Sequence, residues 1–198
     1  AIIYFSHPDE IGPMADNGIA ERVPFGVGAA AGAGAWVLGY LVTYLVAASD
    51  IQNSLFGRVI EAAEIGTWQV VGWVFYNAHF VNTNVDLGLF GSGATNAIGG
   101  DGGFTVLLYV VPPLLLLGAG LAVGRAAGAG SMDGANAAVA GASTVIGYGL
   151  LSVVGVFVFA TESVTSDPVT GVLLAGLLYP VVFGAVGGFV AKATEGGV

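Results

Sequence analysis

The sequence has no cysteine, so disulfide bonds, thiol catalysis and thiolate metal sites are excluded. Charge is also scarce, because only 9% of the 198 residues are charged whereas a soluble domain usually carries roughly 25%. Such a chain would leave large apolar areas exposed in water. The composition therefore predicts an integral membrane protein rather than a soluble globular one.

Basic residues are the scarcest, since four lysines and arginines face 13 aspartates and glutamates. Nucleic-acid binding is not expected, because phosphate recognition needs clustered lysine and arginine. An acidic, lysine-poor composition is typical of extreme halophiles, in which surface charge helps to keep a protein soluble. We interpret it as a halophilic bias, although an acidic protein from an ordinary habitat fits the same numbers.

Four stretches have the length and composition of membrane spans. A hydrocarbon core about 30 Å thick needs roughly 20 apolar helical residues. Each stretch meets that length, contains no Asp, Glu, Lys or Arg, and is bracketed by charged residues. The stretches are residues 23–48, 104–123, 135–160 and 169–191.

The region between the first two stretches is ambiguous. Residues 55–65 have an apolar and a charged face, which is typical of an interfacial helix. Residues 67–81 would rise only about 22 Å as a helix, which is short for a span. Their aromatic residues are typical of a segment near the lipid headgroups. Residues 82–103 are rich in glycine and asparagine and are expected to form a loop.

The fold class predicted is therefore all-α: a polytopic bundle of five transmembrane helices, or of four plus an interfacial or re-entrant helix. We favour five, because a longer helix over 56–81 would bury more aromatic surface. Positive-inside counting places three of the four basic residues in the cytoplasm either way, with residues 161–167 outside. The domains expected are a polar N-terminal segment (1–22), one transmembrane domain (23–193) and a short tail (194–198).

Small residues recur at four-residue spacing within the spans, which lets helix backbones approach closely in a membrane. We predict helix packing through these positions, within one chain or between copies in a homo-oligomer. The residues are Gly28, Gly32, Gly39, Gly120, Gly124, Ala137, Gly141, Gly176, Gly184 and Gly188.

Catalytic chemistry has no signature in this sequence, since no GxSxG, HExxH or P-loop pattern occurs. No catalytic residue, metal ligand or cofactor other than bound lipid is predicted. The four spans contain no ionisable residue of the kind that marks ion-coupled transport. Five polar residues are candidates for a ligand site or pore, or else form a helix-end cluster satisfied by its neighbours: Tyr76, Asn77, His79, Ser143 and Thr144.

Two segments carry a resemblance to a known group. The stretches GVGAAAGAGAWVLGYLVTYL (26–45) and WQVVGWVFYNAHFV (68–81) are joined by an acidic amphipathic connector. Together they resemble small multi-spanning membrane proteins encoded in haloarchaea, over most of the chain from residue 23 onward. That group has no established activity, so the resemblance implies a habitat and a class but assigns no role to any residue.

The functional hypothesis is a non-enzymatic, multi-pass protein of the cell membrane that acts as a packing or accessory component. Its partners would be membrane lipid or an apolar isoprenoid, held in grooves between small residues, and a second copy or another membrane protein. The alternative is a channel or facilitator for a neutral or small solute, lined by the five polar candidates. A membrane enzyme would need acids gathered from loops, such as Glu61, Glu64, Asp86 and Asp101.

Overall fold

The computed structural model describes residues 24–53, 58, 61–86 and 88–195. This part of the chain is mostly helical, and four helices are long and apolar enough to span a membrane: Phe25–Asn53, Val106–Ala126, Gly134–Val158 and Pro168–Glu195. They coincide with the four charge-free stretches to within a few residues. The N-terminal segment 1–22, the last three residues and residues 55–57, 59 and 60 lie outside the described residues.

The chain forms six labelled helices in this part of the sequence. The first two are α1 (Phe25–Asn53) and α2 (Thr67–Asn77). A 3₁₀ turn, Val106–Val110, leads into α3 (Val111–Ala126). The last two spans are α4 (Gly134–Ala142) continued by α5 (Val145–Val158), and α6 (Pro168–Glu195).

The directions of the long helices follow from their contacts. Gly28 lies against Ser143, and Gly155 lies against Trp36, so α1 runs parallel to α4–α5. Gly188 lies toward the end of α6 but contacts the backbone of α4 near the start of that helix. Helix α6 therefore runs antiparallel to α4–α5.

Helix α3 runs in the same direction as α6, because Gly120 meets Gly184 and Gly124 meets Gly188. The bundle consequently has two distinct ends. We call the end that carries residues 61–105 and 159–167 the sheet end. The other end carries residues 127–133 and the C-terminal turn of α6, and we call it the opposite end.

Helix α2 is an additional short helix at the sheet end. Its 11 residues rise only about 16 Å, so it is not among the helices long enough to cross a membrane. The Tyr40 hydroxyl donates to the Trp68 carbonyl at 3.1 Å, and the Trp73 indole donates to the Phe159 carbonyl at 2.9 Å. These bonds fix α2 between α1 and α5. The five-span arrangement that we favoured is not confirmed, and the described residues fit four spans plus one short helix.

A small antiparallel sheet corrects the all-helical prediction. Its strands are β1 (Thr83–Asp86), β2 (Ser92–Thr95) and β3 (Val164–Ser166), in the order β2-β1-β3. Residues 82–103, expected as a loop, thus contain two strands. The sheet ties this segment to the connection between α5 and α6, because Val85 pairs with Val164 about 80 residues away.

Two hydroxyl side chains mark the interruption between α4 and α5. Ser143 Oγ donates to the Ala140 carbonyl at 2.6 Å, and Thr144 Oγ1 donates to the Gly141 carbonyl at 3.0 Å. Such bonds back to the preceding turn compete with the helical ladder and bend helices. The two hydroxyls therefore account for the local break within this span.

Helix α6 contains a π-helical stretch, Gly171–Leu178, that ends just before Pro180. Proline has no backbone N–H to give to the carbonyl five residues earlier, that of Ala175. The Ser152 hydroxyl of α5 donates to this carbonyl at 3.3 Å. An interhelical hydrogen bond thus satisfies an acceptor that proline leaves free.

All ten small residues predicted at helix contacts are buried. At most of them a methyl group would overlap another helix, often its backbone: Gly32 meets the Thr144 carbonyl, Gly120 meets Gly184, and Gly141 meets both Gly184 and Gly188. Gly39 instead faces the Phe75 ring of α2. The grooves beside these residues are therefore filled by other helices of the same chain.

Candidate functional site

Two of the polar candidates face α5 from the end of α2. The Tyr76 hydroxyl donates to the Ser152 carbonyl. His79 is fully buried, with Nδ1 2.8 Å from the Phe75 carbonyl and Nε2 2.7 Å from the Tyr148 hydroxyl. Because a carbonyl only accepts, Nδ1 carries the hydrogen and Nε2 accepts from Tyr148. Both side chains therefore use their polar atoms inside the protein.

The Asn77 side chain bonds to the sheet region rather than to α5, and it connects the sheet to α2. Its amide nitrogen donates to the Val81 carbonyl at 2.8 Å and to Thr83 Oγ1 at 3.1 Å. Its amide oxygen accepts from the Ala97 N–H at 2.9 Å. Both donors and the acceptor are occupied, and the side chain is fully buried. Asn77 thus connects the end of α2, the start of β1 and the segment that follows β2.

The other two polar candidates, Ser143 and Thr144, lie at the α4–α5 junction. Ser143 faces Gly28 of α1, and Thr144 also donates to the Pro180 carbonyl of α6 at 3.3 Å. The five candidates are therefore divided among separate helix contacts. Each is buried and hydrogen-bonded to the protein itself.

A cavity of about 690 Å³ lies between α2 and the sheet. Val70, Trp73, Val74 and Asn77 of α2 line it, and their spacing of three and four residues places them on one helix face. On the sheet, Thr83 and Val85 share one face because side chains alternate along a strand.

The sheet wall and its neighbouring loop complete the mostly apolar lining of the cavity. Val164 also lines the cavity, next to Val85, with which it is paired on the adjacent strand. Phe104 closes a further side, held by backbone bonds of 2.8 Å from its N–H to the Ala97 carbonyl and from the Gly99 N–H to its carbonyl. Mostly apolar walls with a few fixed polar groups are typical of small-molecule sites.

Two carboxylates, Glu64 and Glu162, border this cavity, and both are solvent-exposed. Across the described ranges neither forms an ion pair, and the ion pair that is seen joins Arg125 to Glu195 at the opposite end. Arg58 is the basic residue at the sheet end within the described chain. The carboxylates at that end are Asp50, Glu61, Glu64, Asp86, Asp101, Glu162 and Asp167.

Asp167 anchors the sheet end to the start of α6. Its Oδ1 accepts from the Thr170 N–H at 2.8 Å and from the Thr170 hydroxyl at 2.7 Å, and Asn84 Nδ2 donates to Oδ2 at 3.3 Å. These bonds favour the charged form, so the pKa of Asp167 lies below its ordinary value. Among the residues that the structure describes, no group of three or more His, Asp or Glu is placed to hold a metal ion.

Sequence reasoning missed the cavity, because its sheet wall falls in segments expected to be loops. One usable signal was the alternation of Thr83 and Val85, followed in the α5–α6 connection by Val164, Thr165 and Ser166. Trp73 and Val74 lie in residues 67–81, whose aromatic side chains indicate only a position near the lipid headgroups.

Comparison with known proteins places the chain in a family. Residues 14–195 match the sequence model of DUF7978, which is described as a family of unknown function. No curated protein and no solved structure matches the chain. The description names no habitat, so the haloarchaeal resemblance stays a prediction. Because the match spans most of the sequence, the chain belongs to the DUF7978 family of unknown function.

Proposed function

We propose that this chain is a non-enzymatic, multi-pass protein of the cell membrane that holds an apolar chain in the cavity between α2 and the sheet. The occupant would be a membrane lipid or an isoprenoid. The main support for this proposal is the mostly apolar cavity of about 690 Å³, a volume within the roughly 300–1,000 Å³ typical of ligand pockets.

The outer faces of the long helices support placement in a membrane. Large apolar side chains on all four spans are exposed, among them Leu45, Leu114, Leu150, Phe157 and Phe189. Exposed apolar surface on this scale is unfavourable in water. In a bilayer the same side chains would contact hydrocarbon.

The charges support an orientation. Arg125 and Lys192 lie at the opposite end, where the Lys192 ammonium donates to the Met132 carbonyl, whereas Arg58 lies at the sheet end. Positive-inside counting then favours a cytoplasmic opposite end. The sheet and the cavity would face the outside of the cell.

The depth of the cavity favours an occupant drawn from the bilayer. Trp68 and Phe80, at the two ends of the α2 segment, are exposed to 45% and 59%. Aromatic side chains concentrate at the headgroup level of membranes. A cavity beside α2 would therefore lie near that level, where the end of a lipid or isoprenoid chain can enter.

Two earlier hypotheses have weaker support. The grooves between small residues are filled by neighbouring helices, which leaves the cavity as the better place for an apolar chain. The five polar candidates for a pore bond to the protein itself, so a channel lined by them gains no support from their geometry. Oligomer formation and another membrane protein as partner stay predictions.

The test is retention of apolar molecules through purification in a mild detergent. Val85→Trp would fill the cavity from its sheet wall, and Val154→Trp, on an exposed part of α5, is the matched control. Organic extraction and mass spectrometry should find about one apolar molecule per chain in the unmodified protein and in Val154→Trp, and much less in Val85→Trp. Equal retention by both variants, or none by the unmodified protein, would contradict the proposal.

A further inference from the structure

The cavity combines apolar walls with negative charge, which narrows the class of molecule that it can hold. This inference rests on the proposed function and concerns the charge of the occupant. Glu64 and Glu162 border the cavity, and neither has an ion-pair partner within the described ranges. Their charge is therefore available to a ligand.

The wider charge distribution acts in the same direction. Carboxylates greatly outnumber basic residues at the sheet end, where Arg58 is the described cation, while Arg125 and Lys192 lie at the opposite end. A cleft with low-dielectric walls and charge of one sign concentrates ligands of the opposite sign. Phosphate and carboxylate head groups would be repelled.

Two side chains in the cavity walls already use their N–H groups within the protein and do not offer them to an anion. The Trp73 indole already donates to the Phe159 carbonyl at 2.9 Å. The two amide hydrogens of Asn77 are donated to Val81 and Thr83. An anionic group inside this cavity would lose its hydration without gaining these bonds, which is costly.

Aromatic rings in the walls favour positive charge instead. Trp73 and Phe104 both line the cavity. The faces of such rings attract cations, most strongly where water is excluded. A large cation with delocalised charge would meet apolar walls, aromatic rings and two carboxylates in one site.

We infer that the cavity binds a lipophilic cation, that is, a lipid or isoprenoid-like molecule that carries positive charge, with its apolar body against α2 and the sheet and its charge toward Glu64 and Glu162. Neutral isoprenoids and anionic lipids are the competing occupants. The inference predicts that, of two molecules of nearly the same size and shape, the cavity binds the positively charged one more tightly.

Tetraphenylphosphonium and tetraphenylborate provide the test, because they have nearly the same shape and opposite charge. Binding is followed by quenching of Trp73 fluorescence in a Trp36→Phe, Trp68→Phe protein held in zwitterionic lipid nanodiscs. Empty nanodiscs correct for partitioning into the lipid. Farnesol, a neutral isoprenoid alcohol, is the third probe.

We expect tetraphenylphosphonium to bind about tenfold more tightly than tetraphenylborate after this correction. Glu64→Gln with Glu162→Gln should reduce that ratio by about three- to tenfold, and 1 M salt should also reduce it. Glu61→Gln with Asp101→Asn removes two charges from the same end without touching the cavity lining and should change the ratio by less than about twofold.

The outcomes separate this inference from the proposed function. Equal binding of the two ions, or a ratio unchanged in the Glu64 and Glu162 variant, overturns the inference. Binding of farnesol that Val85→Trp abolishes, without charge selectivity, would leave the proposed function standing. If none of the three probes binds, both are wrong.

Discussion

The two halves of the bundle are packed in different ways. Toward the opposite end, α3, α4 and α6 meet through glycines whose backbones touch, such as Gly120 against Gly184 and Gly141 against Gly188. At the sheet end, α2 carries rings and branched side chains, and a cavity of about 690 Å³ lies between it and the sheet. In one half small residues let the helix backbones touch, whereas in the other half large side chains line an open cavity.

This difference in packing indicates that one half of the bundle mainly provides stability and the other provides a place for a ligand. Close backbone contact brings many atoms into van der Waals range and leaves little room for substitution. The cavity forfeits such contacts, so its walls depend on hydrogen bonds such as those of Asn77 and Trp73. Mutations in the first half should therefore unfold the protein, and mutations in the second should act locally.

The largest effect is expected for Gly120→Leu. The new side chain would overlap the backbone of Gly184, which cannot move without separating α3 from α6. Overpacking of this kind should lower the free energy of unfolding by about 3 kcal/mol or more. Thermal unfolding in detergent, followed by circular dichroism, measures the loss.

The matched control lies two residues away on the same helix. Gly118 is exposed and has no atom near the position of an added Cβ. Gly118→Leu should leave stability unchanged or raise it by about 0.5–1 kcal/mol, because glycine is a poor helix former. Equal destabilisation by the two variants would remove the distinction between the closed and open faces of α3.

A smaller and local effect is expected for Asn77→Leu. This change removes three hydrogen bonds and leaves the Ala97 N–H and the Val81 carbonyl without their partner, at a cost of about 2 kcal/mol. Because Asn77 joins the sheet to α2, amide exchange over residues 81–98 should accelerate by about tenfold or more while the long helices stay protected.

Asn53→Leu is the control for this change. Asn53 is exposed at the end of α1 and donates to the Ser49 carbonyl of its own helix. Asn53→Leu should leave the rate of amide hydrogen exchange in the sheet unaltered. Faster exchange throughout the bundle in Asn77→Leu, or none in the sheet, would show that Asn77 does not hold the two parts together.

The contrast also explains what the sequence could predict. The long helices are encoded locally, by the length of apolar runs and the charges around them, and the glycine spacing marks their faces. The sheet depends on pairing between Val85 and Val164, far apart in the chain, through strands of three or four residues. No local pattern specifies such pairing, so the cavity behind it stayed hidden.

Asn77 shows the same limit at a single residue. From the sequence, an asparagine near membrane depth is a candidate for binding a solute. Its partners turn out to be a carbonyl, a hydroxyl and an N–H within the next 20 residues of the chain. Whether a buried polar group serves a ligand or the fold depends on these partners, which composition and spacing do not reveal.

The smallest effect is expected at Asp167, where the sheet meets α6. Its carboxylate accepts two hydrogen bonds from Thr170 at the helix start, and Asp167→Asn keeps an oxygen acceptor there but removes the charge, so it should cost about 0.5 kcal/mol near pH 7. The folded-state pKa lies below the ordinary value of 3.8, so this stabilisation is complete above that pH. It is lost as the pH falls through the folded-state pKa.

Thermal unfolding midpoints near pH 7 and in acid measure this dependence on the Asp167 charge. The midpoints of the unmodified protein and of Asp167→Asn should differ near pH 7 and converge in acid, because protonation removes the charge that the substitution also removes. Asp101→Asn, an exposed change at the same end, should shift the midpoint little at either pH. If the gap between the unmodified protein and Asp167→Asn persists unchanged in acid, the effect belongs to the shape of the side chain rather than to its charge.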